Sequence, residues 1–194
     1  MGRHKEFNRN EVLEKAAAMF RLKGYEATSV QDLVNCMGIN RGSLYDTFGD
    51  KQALFLASLD YYRDNHVSQL VTTLQHSSEG VSAIRHFFDT LINSRSGDQG
   101  CQGCLMVNTM VERVLHDTET ADKISAHVSM LENAFYQALL RAQHLGEIDQ
   151  SPEALRRLAR YFVSSTNGLC VTAKASPDRS VLEDIANTTL SVLG

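Results

Sequence analysis

The stretch that decides the fold is residues 24–51, which read GYEATSVQDLVNCMGINRGSLYDTFGDK. A capping box can begin there at Thr28 or at Ser29, the two registers that the sequence allows. The apolar residues behind it recur at the three- and four-residue spacing of a helix: Val30, Leu33, Val34 and Met37. The segment therefore predicts a helix of about two or three turns that ends at Gly38.

A three-residue turn follows that helix. Gly38 can adopt the positive φ that ends a helix, Ile39 can fill the core, and Asn40 can cap a third helix that begins at Arg41. Because two short helices joined by a tight glycine turn form a helix-turn-helix, we predict this motif here.

The rest of the chain has the same helical period. Upstream, apolar residues spaced for a helix occupy residues 8–23 and stop at Gly24, the position of a left-handed cap. No alternating apolar segment indicates a strand. We predict an all-α fold of about nine helices, in which a three-helix helix-turn-helix domain precedes a larger helical domain. The further helices are expected at residues 50–75, 81–94, 104–115, 118–145, 153–175 and 181–193.

Composition excludes several classes of protein. Hydrophobic residues make up 43% of the 194 residues and charged residues 22%, as in ordinary globular proteins. No apolar run reaches the ~18 residues that span a bilayer, and residues 1–10 contain no signal-peptide core. The 4 cysteines are too few and too unevenly spread for a secreted disulfide framework. We therefore expect a cytoplasmic protein that has no membrane partner.

The formal net charge of −4 disfavours DNA binding when it is taken as a single number. The distribution of charge leads to a different conclusion. Residues 1–51 carry 8 Lys and Arg against 7 Asp and Glu, whereas the remainder carries 11 against 16. The cations that could meet DNA therefore lie in the helix-turn-helix portion.

The third helix has side chains that suit base edges and phosphates. Arg41 can reach a guanine or a phosphate, Gly42 and Ser43 allow close approach of the backbone, and Tyr45 can donate its hydroxyl to a phosphate. Each also has a structural explanation, because caps and solvated cations occur at helix ends without DNA. The rest of the motif adds the hydroxyls of Thr28 and Ser29, the cap residue Asn40 and the cation Lys51. The predicted DNA-binding set is therefore Thr28, Ser29, Asn40, Arg41, Gly42, Ser43, Tyr45 and Lys51.

Two segments, GYEATSV at 24–30 and GINRGSLYDTFGDK at 38–51, resemble the signature of the TetR family. The resemblance covers roughly residues 8–56. It implies a DNA-binding domain at residues 1–51 and a signal-sensing and dimerisation domain at residues 52–194, with a homodimer formed mainly by the last two helices. The implied function is a repressor that leaves a palindromic operator on double-stranded DNA when a signal arrives.

The resemblance also implies roles for particular residues. It places phosphate contacts on Thr28, Tyr45 and Lys51, and base contacts on residues 41–43. Met37 departs from the family pattern, which usually has a small alanine before the turn glycine. That departure concerns local packing more than DNA binding.

The most unusual feature of the second domain is Cys101 and Cys104, two thiols in CxxC spacing at the start of a helix. The helix dipole favours the thiolate of Cys104, which makes it the better-placed nucleophile. Three interpretations stay open: packing of the helix start, a sensor thiol at Cys104 with Cys101 as resolving partner, and a metal site completed by His86 or His116. Since a single CxxC is weak evidence for metal, we predict neither a metal nor a cofactor.

The effector is predicted to be a small molecule or a thiol electrophile. Met106, Met110 and Phe135 are candidates to line its pocket between helices, although the same spacing fits a plain core. Cys36 and Cys170 lie on apolar helix faces and are predicted packing residues.

The rival class is an enzyme, a thiol oxidoreductase that uses Cys101 and Cys104. Such a motif normally lies beside a βαβ unit, and the sequence indicates no strands. We therefore predict a regulator and not an enzyme.

Overall fold

The computed structural model describes residues 7–75, 78–96 and 103–194. In this part of the chain it contains helices and no strand, which confirms the all-α class. A π turn (Arg63–Val67) joins α4 to α5 without a break, so the described residues form nine separate α-helical rods, as predicted. The helices are α1 (Arg9–Lys23), α2 (Val30–Met37), α3 (Arg41–Phe48), α4 (Lys51–Tyr62), α5 (Ser68–Gln75), α6 (Val81–Arg95), α7 (Leu105–Glu112), α8 (Thr118–His144), α9 (Pro152–Ala175) and α10 (Arg179–Leu190), followed by a 3-10 turn (Ser191–Leu193).

The helix starts lie where the sequence has capping residues. Of the two capping-box registers, the one at Ser29 forms, and its partner is Asp32. Asn40 caps α3 by accepting a hydrogen bond from the Ser43 amide. The turn before it depends on Gly38, whose φ of 72° lies in the left-handed region.

Two helix ends differ from the prediction. α6 extends to Arg95, one residue beyond its predicted end, and the Arg95 side chain is buried. α7 ends at Glu112, about one turn earlier than expected. The π turn at Arg63–Val67 was not predicted either.

The first three helices enclose a small apolar core. Phe20, Leu33 and Leu44 are fully buried in it. Phe20 also packs edge-on against Phe55 of α4, with 4.9 Å between ring centres. Met37 is buried as well, so the departure from a small residue at this position is accommodated by packing. The helix-turn-helix is therefore anchored on α4.

In the second domain α8 and α9 pack along each other, and α5, α6 and α10 complete the bundle. Its centre is a cluster of four phenylalanine rings from α6, α8 and α9: Phe87, Phe88, Phe135 and Phe162. Among the described helices, none is both long and apolar enough to cross a membrane.

We expect Ser151→Ala to lower the free energy of unfolding by about 1 kcal/mol, because the Ser151 hydroxyl accepts the Ala154 amide at the start of α9. Chemical denaturation monitored by circular dichroism measures the change. Ser125→Ala, at an exposed position inside α8, is the matched control and should not destabilise the protein. Equal midpoints for the two variants would show that this cap contributes nothing.

Candidate nucleic-acid interface

The exposed face of the helix-turn-helix is formed by the start of α3. Arg41 and Gly42 are exposed there, and Tyr45 is 44% exposed one turn later. Leu44 and Phe48, on the opposite face of the same helix, are buried. The alternation fixes α3 in one orientation, with polar side chains on the side that faces away from the core.

Gly42 and Asn40 cooperate at the helix start. The Asn40 Oδ1 atom accepts the Ser43 amide at 2.7 Å. A Cβ atom at Gly42 would lie 3.2 Å from that oxygen, so a side chain there would crowd the cap. Glycine therefore keeps both the cap and an unobstructed backbone at the exposed end of α3.

Thr28 and Ser29 differ in a way that the sequence did not predict. Thr28 is fully buried, and its hydroxyl donates to the Gly24 carbonyl oxygen at 2.5 Å. Ser29 is exposed and exchanges hydrogen bonds with Asp32. The Thr28 hydroxyl is thus occupied in closing the turn after α1, and only Ser29 presents a hydroxyl at the surface of this helix end.

Lys51, at the start of α4, is half-buried. Its Nζ atom lies 4.1 Å from the centre of the Tyr25 ring, and the Arg113 guanidinium lies 4.2 Å from the same ring. Burial lowers the pKa of the Lys51 ammonium. Burial also raises the pKa of the Tyr25 phenol. This ring therefore connects a cation of the predicted DNA-binding set to α7 of the second domain.

The C-terminal end of α7 holds the turn between α1 and α2. The two carboxylate oxygens of Glu112 accept the backbone amides of Tyr25 and Glu26, each at 2.9 Å. The guanidinium of Arg113 pairs with Glu26 at 2.6 Å. Asn108, one turn earlier, donates to the Arg21 carbonyl oxygen at 3.0 Å. We call Asn108, Glu112 and Arg113 the α7 clamp.

Gly24 makes room for the clamp. Its φ is 81°, and a Cβ atom there would lie 2.8 Å from the Glu112 Oε2 atom. Any other residue would be strained and would push the carboxylate away. The sequence marks Gly24 only as a helix end, so nothing in the local pattern predicts its second role.

The N-terminal end of α7 is a second candidate site. Cys104 is the residue before the helix and is only 6% exposed. Cys170 of α9 is buried beside it, and both line one internal cavity. Cys101 lies outside the described residues. Cys170 is buried, as predicted. Cys36 is half-buried and packs against the core, and its thiol donates to the Leu33 carbonyl oxygen.

The effector-pocket candidates do not gather at this cavity. Phe135 belongs to the aromatic core, Met106 is buried elsewhere, and Met110 is half-buried on α7. None of the three is among the residues that line the cavity. Among the described residues, no group of three or more His, Cys, Asp and Glu side chains could hold a metal ion.

The residue that sequence analysis missed is Arg95. It is 8% exposed and donates to the Gly103 carbonyl oxygen at 3.0 Å and to the Tyr62 hydroxyl at 3.3 Å. Burial raises the pKa of Tyr62 to about 12. A hydrogen bond from Cys170, assisted by the Arg95 guanidinium and the amide of Val107, holds the pKa of the Cys104 thiol well below its ordinary value. An arginine at the end of an amphipathic helix gives no sequence signal of burial.

Comparison with known proteins shows the family. The profile of "Bacterial regulatory proteins, tetR family" matches residues 12–58, and that of "Transcriptional regulator LmrA/YxaF-like, C-terminal domain" matches residues 80–188. The chain belongs to the TetR family. It is a DNA-binding transcriptional regulator, as its helix-turn-helix predicted.

TetR-family relatives match over nearly their whole length. YezE of Bacillus subtilis (strain 168), an uncharacterized HTH-type transcriptional regulator, is 37% identical over 193 residues, which are 100% of both chains. The HTH-type transcriptional repressor ComR of Escherichia coli (strain K12) is 31% identical over 97% of this chain and 90% of ComR. A cysteine mutant of the TetR family regulator CifR, complexed with 26-bp operator DNA, has a TM-score of 0.86 at 25% identity and covers 97% of this chain and 98% of CifR.

We expect Glu112→Gln to detach the α1–α2 turn from α7. The amide side chain can accept through one oxygen only, so one backbone amide loses a charged acceptor, at a cost of about 1.5–3 kcal/mol in the free energy of unfolding. Hydrogen exchange should accelerate at the amides of Tyr25 and Glu26. Asp89→Asn, which removes an exposed carboxylate from α6, is the control. Unchanged exchange at both amides would show that the clamp does not hold the turn.

Proposed function

We propose that this regulator is a repressor that binds a palindromic operator as a homodimer and leaves it when a small molecule or a thiol-reactive signal acts on the second domain. The observation that carries the proposal is the exposed, polar start of α3 on a rigid helix-turn-helix. Its target is chromosomal DNA, so it works in the cytoplasm. No turnover of substrate is part of this function.

In this proposal α3 enters the major groove and reads the operator. Arg41 contacts a guanine edge or a phosphate, and Gly42 and Ser43 bring the backbone close to the bases. Tyr45, Ser29 and Lys51 contact phosphates. Asn40 holds the start of the helix in position, and the buried Thr28 acts through the turn that presents Ser29.

The proposed dimer forms through α9 and α10. Tyr161 and Val171 of α9 are 42% and 53% exposed, and Gly168 lies on the same helix face between them. Val181 of α10 is exposed as well. Two such faces related by a two-fold axis would bury their apolar side chains in a four-helix bundle. The recognition helices would then lie one or more DNA turns apart, ~34 Å or a multiple.

The signal is proposed to travel through α7. This helix has 8 residues and is therefore about 12 Å long. Cys104 lies at one end beside the cavity, and the α7 clamp lies at the other. A change at the cavity that tilts α7 would move the turn after α1, and the two recognition helices would lose their spacing.

Cys104 supports a thiol-reactive signal by its lowered pKa, but its burial restricts the reagent. Reactivity follows both the thiolate fraction and access, so only small oxidants or electrophiles would reach this sulfur. A non-covalent ligand in the same cavity is the other form that the signal can take.

We expect Arg41→Ala to weaken binding to the specific operator at least tenfold, because a good arginine–guanine contact contributes about 1–3 kcal/mol. Fluorescence anisotropy with duplex DNA from beside the regulator's own gene measures this, at a fixed salt concentration. Arg85→Ala, at an exposed position of α6, is the matched control. Equal affinity for the two variants would contradict the assignment of α3 as the reading helix.

A second prediction concerns the signal. Treatment with a small thiol electrophile should release wild-type protein from that DNA, and Cys104→Ser should bind the operator and resist the treatment. Cys36→Ser, at the half-buried thiol of α2, is the control and should remain sensitive. If wild-type protein stays bound after complete alkylation, the thiol form of the signal is excluded.

A further inference from the structure

Among the described residues, three buried side-chain nitrogen atoms have no hydrogen-bond partner: one is the Nε atom of Arg113 in the α7 clamp, and the other two lie deep in the second domain. These two are the Nε atom of Arg95 and the Nδ1 atom of His127, on side chains that are 8% and 4% exposed. Leaving a buried polar group unpaired destabilises the folded protein, and more so when the group is charged. Such a pair of orphan atoms in a well-packed domain indicates a place for something that the chain itself does not supply.

Both side chains line the same cavity, whose other lining residues come from the π turn, α5, α6, α7, α8 and α9. The volume is about 30 Å³. One water molecule needs roughly 10–15 Å³ by this measure, so the cavity can take a few atoms beyond a single water. Its other walls are mostly apolar: Val67, Leu70, Phe87, Leu91, Val107 and Leu131.

The charge in the cavity is unbalanced. Among the described residues, no carboxylate forms an ion pair with Arg95, whose guanidinium is bonded to the Gly103 carbonyl oxygen and the Tyr62 hydroxyl. The acidic groups that act on it most strongly are the Tyr62 phenol and the thiols of Cys104 and Cys170. A buried guanidinium is normally accompanied by an anion, and the anion that matches its geometry best is a carboxylate.

We infer that this cavity binds a small carboxylate of about one to three carbons, held by the Arg95 Nε–H and by His127 with a proton on Nδ1. The short alkyl group would lie against the apolar wall. Burial lowers the pKa of His127, so its imidazole is neutral and can donate from one nitrogen. The bound carboxylate would supply the anion that the Arg95 guanidinium lacks among the described residues.

The same position lets the ligand act as the signal. This step rests on the proposed function. Val107 of α7 and Val67 of the π turn both touch the cavity, so a ligand that exceeds its volume pushes α7 away from α4 and α5. The α7 clamp would move with the helix, and affinity for the operator would fall.

The test is isothermal titration of the purified protein with formate, acetate and propionate, with acetamide and chloride as matched probes. We expect binding of at least one carboxylate and none of acetamide. Because a charged hydrogen bond contributes about 1.5–3 kcal/mol, Arg95→Met should weaken binding at least tenfold. Arg85→Met, on the exposed side of the same helix, should leave it unchanged. If Arg95→Met fails to fold, Arg95→Lys, which retains the charge but has no guanidinium, should show the same loss.

Several outcomes would overturn the site. Equal binding of acetamide would exclude an anion site, and equal loss or equal retention in the Arg95 and Arg85 variants would exclude this cavity. No binding of any carboxylate would mean that the cavity holds water only.

A separate measurement tests whether the carboxylate is the signal: fluorescence anisotropy of operator binding with and without the carboxylate. Binding that leaves operator affinity unchanged would preserve the site and remove its role as signal, whereas loss of selective operator binding in ligand-free protein would contradict the proposed function instead.

Discussion

The arrangement of the two domains depends on one carboxylate. Glu112 accepts two successive backbone amides, those of Tyr25 and Glu26, in a turn whose own helices offer them no acceptor. The first helical domain is thereby tied to a residue that is more than eighty positions away in the chain. Because Gly24 leaves the space that the carboxylate fills, the turn and the clamp fit only each other. Asn108 and Arg113 add further contacts to the same helix end, at Arg21 and Glu26.

The clamp gives α7 a mechanical role that its short length makes effective. α7 has only about two turns, so in the proposed mechanism a displacement at Cys104 would also move Arg113. The Arg113 guanidinium and the Lys51 ammonium meet on the Tyr25 ring, and Lys51 is a proposed phosphate contact. Movement of α7 would therefore change both the position of the helix-turn-helix and the surroundings of one of its cations.

The parts of this structure that were predictable are those that neighbouring residues determine. The caps at Ser29 and Asn40 each accept an amide three positions further along the chain, and the glycine turn at Gly38 depends on one dihedral angle. The helix-turn-helix and the helix count followed from such signals together with apolar spacing. The clamp at Glu112 and the burial of Arg95 depend on contacts between distant segments, for which a single sequence has no pattern. Cys104 is an intermediate case: its position at a helix start was evident, but its burial against α9 was not.

Arg95 raises the question of why a stable core would contain it. An apolar side chain of similar volume would need neither hydrogen-bond partners nor a counterion. Replacing a buried charge by such a side chain often stabilises a core. The two hydrogen bonds to Gly103 and Tyr62 satisfy only part of the guanidinium, and its Nε atom has no partner among the described residues. His127, on another helix, leaves an unpaired nitrogen facing the same small space. The unpaired nitrogens of Arg95 and His127 each cost folding free energy, and packing does not explain why both face one cavity. A ligand that hydrogen-bonds to both nitrogens removes the two costs together.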